Sequence, residues 1–186
     1  MSANRIILVG GGVRSGKSAF ALSLARRLGA RRAFVATAQA IDPEMRERIA
    51  WHVQERGDDF QTIEEPVYLP AMLAGLGDVD AVVVDCLTVW LSNLLLRDES
   101  LARILERVEE LAATLERRTF HAIVVTNEVG MGVVPKTALA RVFRDLCGRA
   151  HQRLAQCADE IYLAALGSIL RILPCPVAVQ PFGGAG

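Results

Sequence analysis

The sequence predicts an α/β domain built on a mostly parallel sheet. Three observations predict it. Short, nearly continuous apolar runs recur along the chain, longer amphipathic stretches separate them, and the first run ends in a glycine-rich turn that opens the first amphipathic stretch. Apolar runs without alternation suit strands covered on both faces. Strands alternating with helices imply βαβ units.

Taken in order, the predicted strands are residues 5–9, 33–37, 81–85, 122–126 and 160–164. The helical patterns between and after them are 17–28, 43–56, 87–96, 101–117 and 137–156. At the end of the chain, 169–173 and 177–180 read as a hairpin with Pro174 and Pro176 in its turn. Proline cannot donate to a central ladder, so that hairpin belongs at an edge. With no internal repeat, low-complexity tract or long linker, residues 1–186 read as one domain.

A chain of 186 residues is long enough to bury a real core. Its 52% hydrophobic and 23% charged residues are those of an ordinary globular protein. Lysine plus arginine balance aspartate plus glutamate at 21 each. Zero net charge argues against nucleic acid as the partner, since neutralising phosphates needs a basic excess. Cys86, Cys147, Cys157 and Cys175 are scattered without a C-x-x-C pair, so they read as reduced thiols, mostly in the core. The apolar run from Ile6 to Val9 is too short for a signal peptide or a membrane span, and a cytoplasmic location is expected.

The strongest motif is Gly11-Gly12-Val13-Arg14-Ser15-Gly16-Lys17-Ser18, which satisfies G-x-x-x-x-G-K-[ST] between a predicted strand and a predicted helix. Its glycines let backbone N–H groups turn inward on phosphate oxygens, and the helix dipole adds to the field there. Lys17 would reach the β- and γ-phosphates, and Ser18 would offer its hydroxyl to Mg²⁺. A dinucleotide reading is weaker, because Ser15 stands where a third glycine is needed. The motif implies a nucleoside triphosphate.

Asp85 ends an apolar strand, as a magnesium-side acid does, although an aspartate there also suits a helix N-cap. Asn127 and Glu128 follow the strand 122–126 and belong on the edge where open α/β sheets bind ligands. Three roles stay open for them: capping the next element, holding the metal's waters, or touching substrate.

His52 lies between Arg48 and Arg56, one helical turn from each. Neighbouring cations favour the neutral, nucleophilic ring and also attract phosphates. At the helical rise it lies roughly 13 Å from the helix start at Pro43, so it reaches a phosphate only if the helix crosses the cleft. His121 and His151 have no comparable setting in the sequence.

The segments GGVRSGKS, ATAQAIDPEMRERIAWH, QTIEEP, CLTVWLSNLL, TNEVGMGVVP and ARVFRDLCGRAHQRLAQCADEIYL, in this order, resemble one enzyme family. It is the bifunctional adenosylcobinamide kinase/adenosylcobinamide-phosphate guanylyltransferase family of cobalamin biosynthesis. The resemblance implies a RecA-like P-loop NTPase fold and a homotrimer. It implies phosphorylation of the aminopropanol hydroxyl of a corrinoid, adenosylcobinamide, by ATP or GTP. Transfer of GMP from GTP to the resulting phosphate would follow, through a histidine that matches His52. It further implies nucleotide contacts from Thr37, Ala38, Gln39, Val53, Gln54, Glu55, Arg56, Glu64 and Asp85. Phe60 stands where the family commonly has tryptophan, and His151 where asparagine is common.

Two other classes compete with that reading. One is a kinase without the guanylyl step, in which His52 is a surface or binding residue. The other is a nucleotide-switched module or nucleic-acid motor, which the balanced charge disfavours.

Overall fold

The computed structural model describes residues 4–40, 46–47, 53–54 and 56–174. Seven strands make one sheet: β1 (Ile6–Gly11), β2 (Arg32–Ala36), β3 (Gln61–Glu64), β4 (Ala81–Asp85), β5 (His121–Asn127), β6 (Glu160–Ala165) and β7 (Ser168–Leu173). Their order is β3-β2-β4-β5-β1-β6-β7. All pairings are parallel except that of β6 with β7. Among the described residues the helices are α1 (Lys17–Leu28), α2 (Leu69–Ala74), α3 (Leu87–Leu95), α4 (Leu101–Glu116) and α5 (Ala138–Cys157). Arg46, Glu47, Val53, Gln54 and Arg56, from the stretch expected to form a helix over 43–56, are helical as well.

The apolar runs are continuous because both faces of the sheet are covered. Ile6, Leu8, Val35, Val82, Val84 and Val124 point into one core with Trp90, Leu111 and Leu146 of α3, α4 and α5. Their neighbours Ile7, Val9, Phe34, Val83, Ile123 and Val125 point the other way, against Ala21, Leu22 and Ala25 of α1. The period-2 geometry of a strand makes this division, and each large side chain so buried contributes about 1.5–3 kcal/mol. On α4, Ile104, Val108, Leu111 and Leu115 recur at three- and four-residue spacing and all are buried. Ser100 and Thr137 cap α4 and α5 by accepting from the N–H groups of Arg103 (3.2 Å) and Ala140 (3.3 Å).

Two elements were not expected from the sequence. β3 is a four-residue edge strand, Gln-Thr-Ile-Glu, with three exposed side chains, so it carries no apolar run. α2 is only six residues long, with Pro70 in its first turn, too short for a helical period to show. The tail also differs. β7 is an edge strand, as expected, but it pairs back onto β6 through Leu166-Gly167, both at positive φ (51° and 73°). That turn chemistry selects a tight hairpin. Residues 177–180, the expected partner, lie outside the described residues.

The amino-terminal end of the sheet is knit by charge. Asp80, just before β4, accepts from the N–H groups of Ala30 and Arg31 (both 2.9 Å) and pairs with the Arg31 guanidinium (2.6 Å). Those hydrogen bonds, Arg31's side chain foremost, hold its carboxyl far below the usual carboxylate range. Asp159 accepts from the Ile6 N–H (2.7 Å) and from Arg118 (3.2 Å), and Arg5 pairs with Glu160. Cys86 and Cys147 are free, buried thiols and Cys157 is half-buried; Cys175 lies outside the described residues.

Candidate nucleotide site

The carboxyl ends of β1, β4 and β5 adjoin, and Gly11 of the glycine-rich loop and Asp85 lie there. β1 runs into the glycine-rich loop at Gly11. A β-carbon at Gly11 would stand 2.6 Å from the Ala164 carbonyl oxygen and 2.7 Å from Ser15 Oγ, so the loop passes against β6 with no space for a side chain. Gly16 adopts φ 86°, a left-handed conformation open to glycine, and delivers the chain into α1. No side chain caps the N-terminus of α1. Its first N–H groups therefore face the loop, as a phosphate site requires. Ser15 Oγ is buried there without a hydrogen-bond partner among the described residues.

Lys17 is only 8% exposed, and its Nζ donates to the Gly12 carbonyl at 3.0 Å, curling back over the loop. Burial lowers the ammonium pKa, and the Asp85 carboxylate opposes that shift. Asp85 ends β4 but does not cap α3. Cys86 holds the cap position, and no side chain bonds the first turn.

Behind these groups runs a line of neutral hydrogen bonds across the sheet. Thr37, fully buried, donates from its hydroxyl to the Cys86 carbonyl (2.9 Å) and accepts from the Cys86 N–H (2.8 Å). Its own N–H donates to the Asp85 carbonyl (3.2 Å). Asn93 of α3 donates to the carbonyls of Thr37 (2.8 Å) and Pro66 (3.1 Å). On the other side the Asn127 amide donates to Thr88 Oγ1 (3.1 Å), and the Glu128 N–H reaches the Gly11 carbonyl (3.0 Å). The ends of β2, β4, β5 and β1 are thus tied in sequence. Cys86 lies inside this line, and burial pushes its thiol up to about 11, so it is no nucleophile at neutral pH.

Arg56, expected within the helix over 43–56 and as a nucleotide contact, is helical. It is 4% exposed, its guanidinium 4.1 Å from the centroid of the Phe34 ring, a cation–π contact. Burial lowers its pKa, and the charges of Asp85 and then Glu64 oppose the shift. Its carbonyl accepts from Arg26 of α1 at 2.9 Å. Val53 and Gln54 are helical and exposed. Ala38 is half-buried, while Gln39 and Glu64 are exposed. His52, Arg48 and Glu55 lie outside the described residues.

His151 has a setting that the sequence did not reveal. Its Nε2 lies 2.7 Å from Thr126 Oγ1, and its Nδ1 lies 3.7 Å from Glu128 Oε2. Glu128 Oε1 accepts from the Gly130 N–H at 2.6 Å. Beyond it Met131, Val133 and Val134 are exposed. Among the described residues no three His, Cys, Asp or Glu side chains gather as a metal cage. A magnesium ion needs none, since one carboxylate, a hydroxyl and substrate phosphates suffice. A surface cleft between α2 and α4 is lined by Arg103, Glu106 and Glu110 and holds none of the predicted site residues.

A parallel sheet whose first strand feeds an uncapped helix through a Gly-Lys-Ser loop, with an acid two strands away, defines the class: a P-loop nucleotide-binding protein. The fold is shared with an ATPase of the type III secretion system of pathogenic bacteria. The two match with a TM-score of 0.55 at 9% identity, over 87% of this chain and 51% of that one.

Sequence comparison narrows the class. The family model described as cobinamide kinase / cobinamide phosphate guanyltransferase matches residues 7–172, and the chain belongs to that enzyme family. It is 40% identical over 175 residues to the bifunctional adenosylcobalamin biosynthesis protein CobP of Pseudomonas aeruginosa, covering 94% of this chain and 98% of that protein. To the bifunctional adenosylcobalamin biosynthesis protein CobU of Escherichia coli it is 36% identical over 180 residues, covering 90% and 99%.

Proposed function

We propose that this chain carries out both reactions of its family in one domain. In the first, the aminopropanol hydroxyl of adenosylcobinamide attacks the γ-phosphorus of ATP or GTP, and the nucleoside diphosphate leaves. In the second, the His52 imidazole attacks the α-phosphorus of GTP and pyrophosphate leaves. The phosphate of adenosylcobinamide phosphate then attacks the histidine-bound GMP, giving adenosylcobinamide-GDP. A covalent intermediate splits one hard transfer into two easier ones.

The observation that carries this reading is the seat of Arg56. Its guanidinium lies over Phe34 with Asp85 and Glu64 acting on its charge, so the side chain reaches from the end of the 43–56 segment toward the carboxyl ends of β3 and β4. Lys17 and the N–H groups of residues 11–18 would stabilise charge on the phosphates. Thr37, Ala38, Gln39, Val53, Gln54, Glu55 and Glu64 would complete the nucleotide's surroundings, Thr37 through the backbone it fixes. Ser18 and Asp85 would hold Mg²⁺, which supplies charge neutralisation on the phosphate oxygens when bound. We also read the protein as a cytoplasmic homotrimer. Among the described residues no helix is long and apolar enough to cross a membrane, and sedimentation would test the trimer.

The decisive experiment uses GTP labelled at the α-phosphate. The protein should acquire acid-labile, base-stable label that is chased by adenosylcobinamide phosphate and absent in His52→Ala. Kinase activity that persists with no covalent label in the wild type would leave a kinase alone.

A further inference from the structure

We propose that Glu128 receives the acceptor's hydroxyl proton in the kinase step, and that His151 is the positioning residue that holds it ready. The proposal rests on the bifunctional reading above. It starts from strand order: β5 lies between β1, which bears the phosphate loop, and β4, which bears Asp85. The residue that leaves β5 therefore emerges between the strand that feeds the phosphate loop and the strand that ends in Asp85. That residue is Glu128, and its N–H is bonded to Gly11 at the start of the loop.

Its carboxylate is set in place from two sides. Oε1 takes the Gly130 N–H at 2.6 Å, and Oε2 faces His151 Nδ1 at 3.7 Å. The ring is itself oriented by Thr126, buried on β5, whose hydroxyl lies 2.7 Å from Nε2. We assign the proton to Nδ1, facing the carboxylate, so that Nε2 accepts from the threonine. Burial lowers the ring's pKa, in keeping with a neutral imidazole near pH 7.

Asp85 and Glu64, two other acids at this edge, have cations near them. Asp85 acts on both Lys17 and Arg56, and Glu64 on Arg56. Glu128 has no lysine or arginine within ion-pair distance among the described residues, and its side chain is 29% exposed. A carboxylate left unquenched, oriented and open to an incoming molecule is what a general base requires.

The step balances as follows. The acceptor oxygen bonds to the γ-phosphorus while its proton passes to the Glu128 carboxylate. The bond from the γ-phosphorus to the bridging oxygen breaks, and its electron pair leaves with the nucleoside diphosphate. Glu128 then returns the proton to solvent. The guanylyl step makes no such demand, because its acceptor is a phosphate monoester already anionic near pH 7.

That asymmetry provides the test. Both activities are measured on full-length wild type, Glu128→Gln and Glu128→Asp, with adenosylcobinamide for one and adenosylcobinamide phosphate for the other. Glu128→Gln should lower the kinase kcat by about 100-fold, the low end of general-base effects. Its nucleotide KM and its guanylyl transfer should stay within about twofold of wild type. Glu128→Asp should recover part of the kinase rate, and His151→Leu should lower kinase kcat while sparing guanylyl transfer. A kinase rate unchanged in Glu128→Gln overturns the proposal, as does a parallel fall in both activities. A wild type lacking kinase activity overturns instead the reading on which the proposal rests.

Discussion

The Thr37 hydroxyl grips the Cys86 peptide unit from both ends, accepting from its N–H at 2.8 Å and donating to its carbonyl at 2.9 Å. The Cys86 carbonyl has a second partner in the Trp90 N–H (3.1 Å), whereas the Cys86 N–H gives its bond to the hydroxyl. Thr37→Val keeps the shape and orphans that donor. It should destabilise the protein by about 1–3 kcal/mol in urea unfolding, and Thr37→Ser should recover most of the loss. Because Asp85 is the preceding residue, nucleotide affinity should fall too. Equal stability of the valine variant and wild type would show that the grip is dispensable.

Lys17 gives the opposite pattern. Its ammonium is buried at a cost seen in its lowered pKa. Lys17→Met removes that cost, so the folded state should lose little or no stability. Titration with a fluorescent nucleotide should show affinity falling roughly 10- to 150-fold, the equivalent of a charged hydrogen bond of about 1.5–3 kcal/mol. Unchanged affinity would remove Lys17 from the phosphate site.

Gly11→Ala tests the closeness of the loop to β6. The added methyl would meet the Ala164 carbonyl oxygen at 2.6 Å, backbone that cannot swing aside. The expected cost is about 1–3 kcal/mol, with weaker nucleotide binding because the loop itself is displaced. Wild-type melting and binding together would show that the strands part freely there.

Acid should weaken the fold partly through two histidines. Burial lowers the pKa of His151, with Glu128 opposing, and that of His121, with Arg5 and Arg118 adding to the effect. The His121 Nδ1 also accepts the Arg5 N–H at 3.1 Å, a bond that protonation of that nitrogen would break. The unfolded chain binds these protons near the ordinary value of 6.5, the folded one only at lower pH. Their contribution is therefore complete above that value and is lost as the pH falls below it toward the folded values. Urea midpoints from pH 7.5 to 5 should decline, and His151→Asn should decline less steeply. Identical slopes for the two proteins would exclude His151 from the effect.

What could be read from the sequence was whatever is written locally. The phosphate loop has a fixed spacing, and an apolar strand ending in Asp85 marks itself. Buried helices show their period. By contrast, Asn93 meets Thr37 across 56 positions and His151 meets Thr126 across 25, so only the folded chain brings them together. A polar residue inside the apolar stretch Leu-Ser-Asn-Leu-Leu was the available hint for Asn93. β3 stayed hidden because it is covered too little to need an apolar run, and Arg56 because its burial depends on Phe34, 22 positions earlier in the chain.

The two ends of the sheet are held by different kinds of force, and this governs how the molecule should respond to its medium. At the amino end, exposed partners such as Arg31 and Asp80 attract through water, where dissolved ions weaken them. At the carboxyl end, Thr37, Cys86 and Thr88 are shielded and uncharged, so ions scarcely reach their bonds. Rising ionic strength should therefore loosen the scaffold from the far end first, while the phosphate-facing edge keeps its shape.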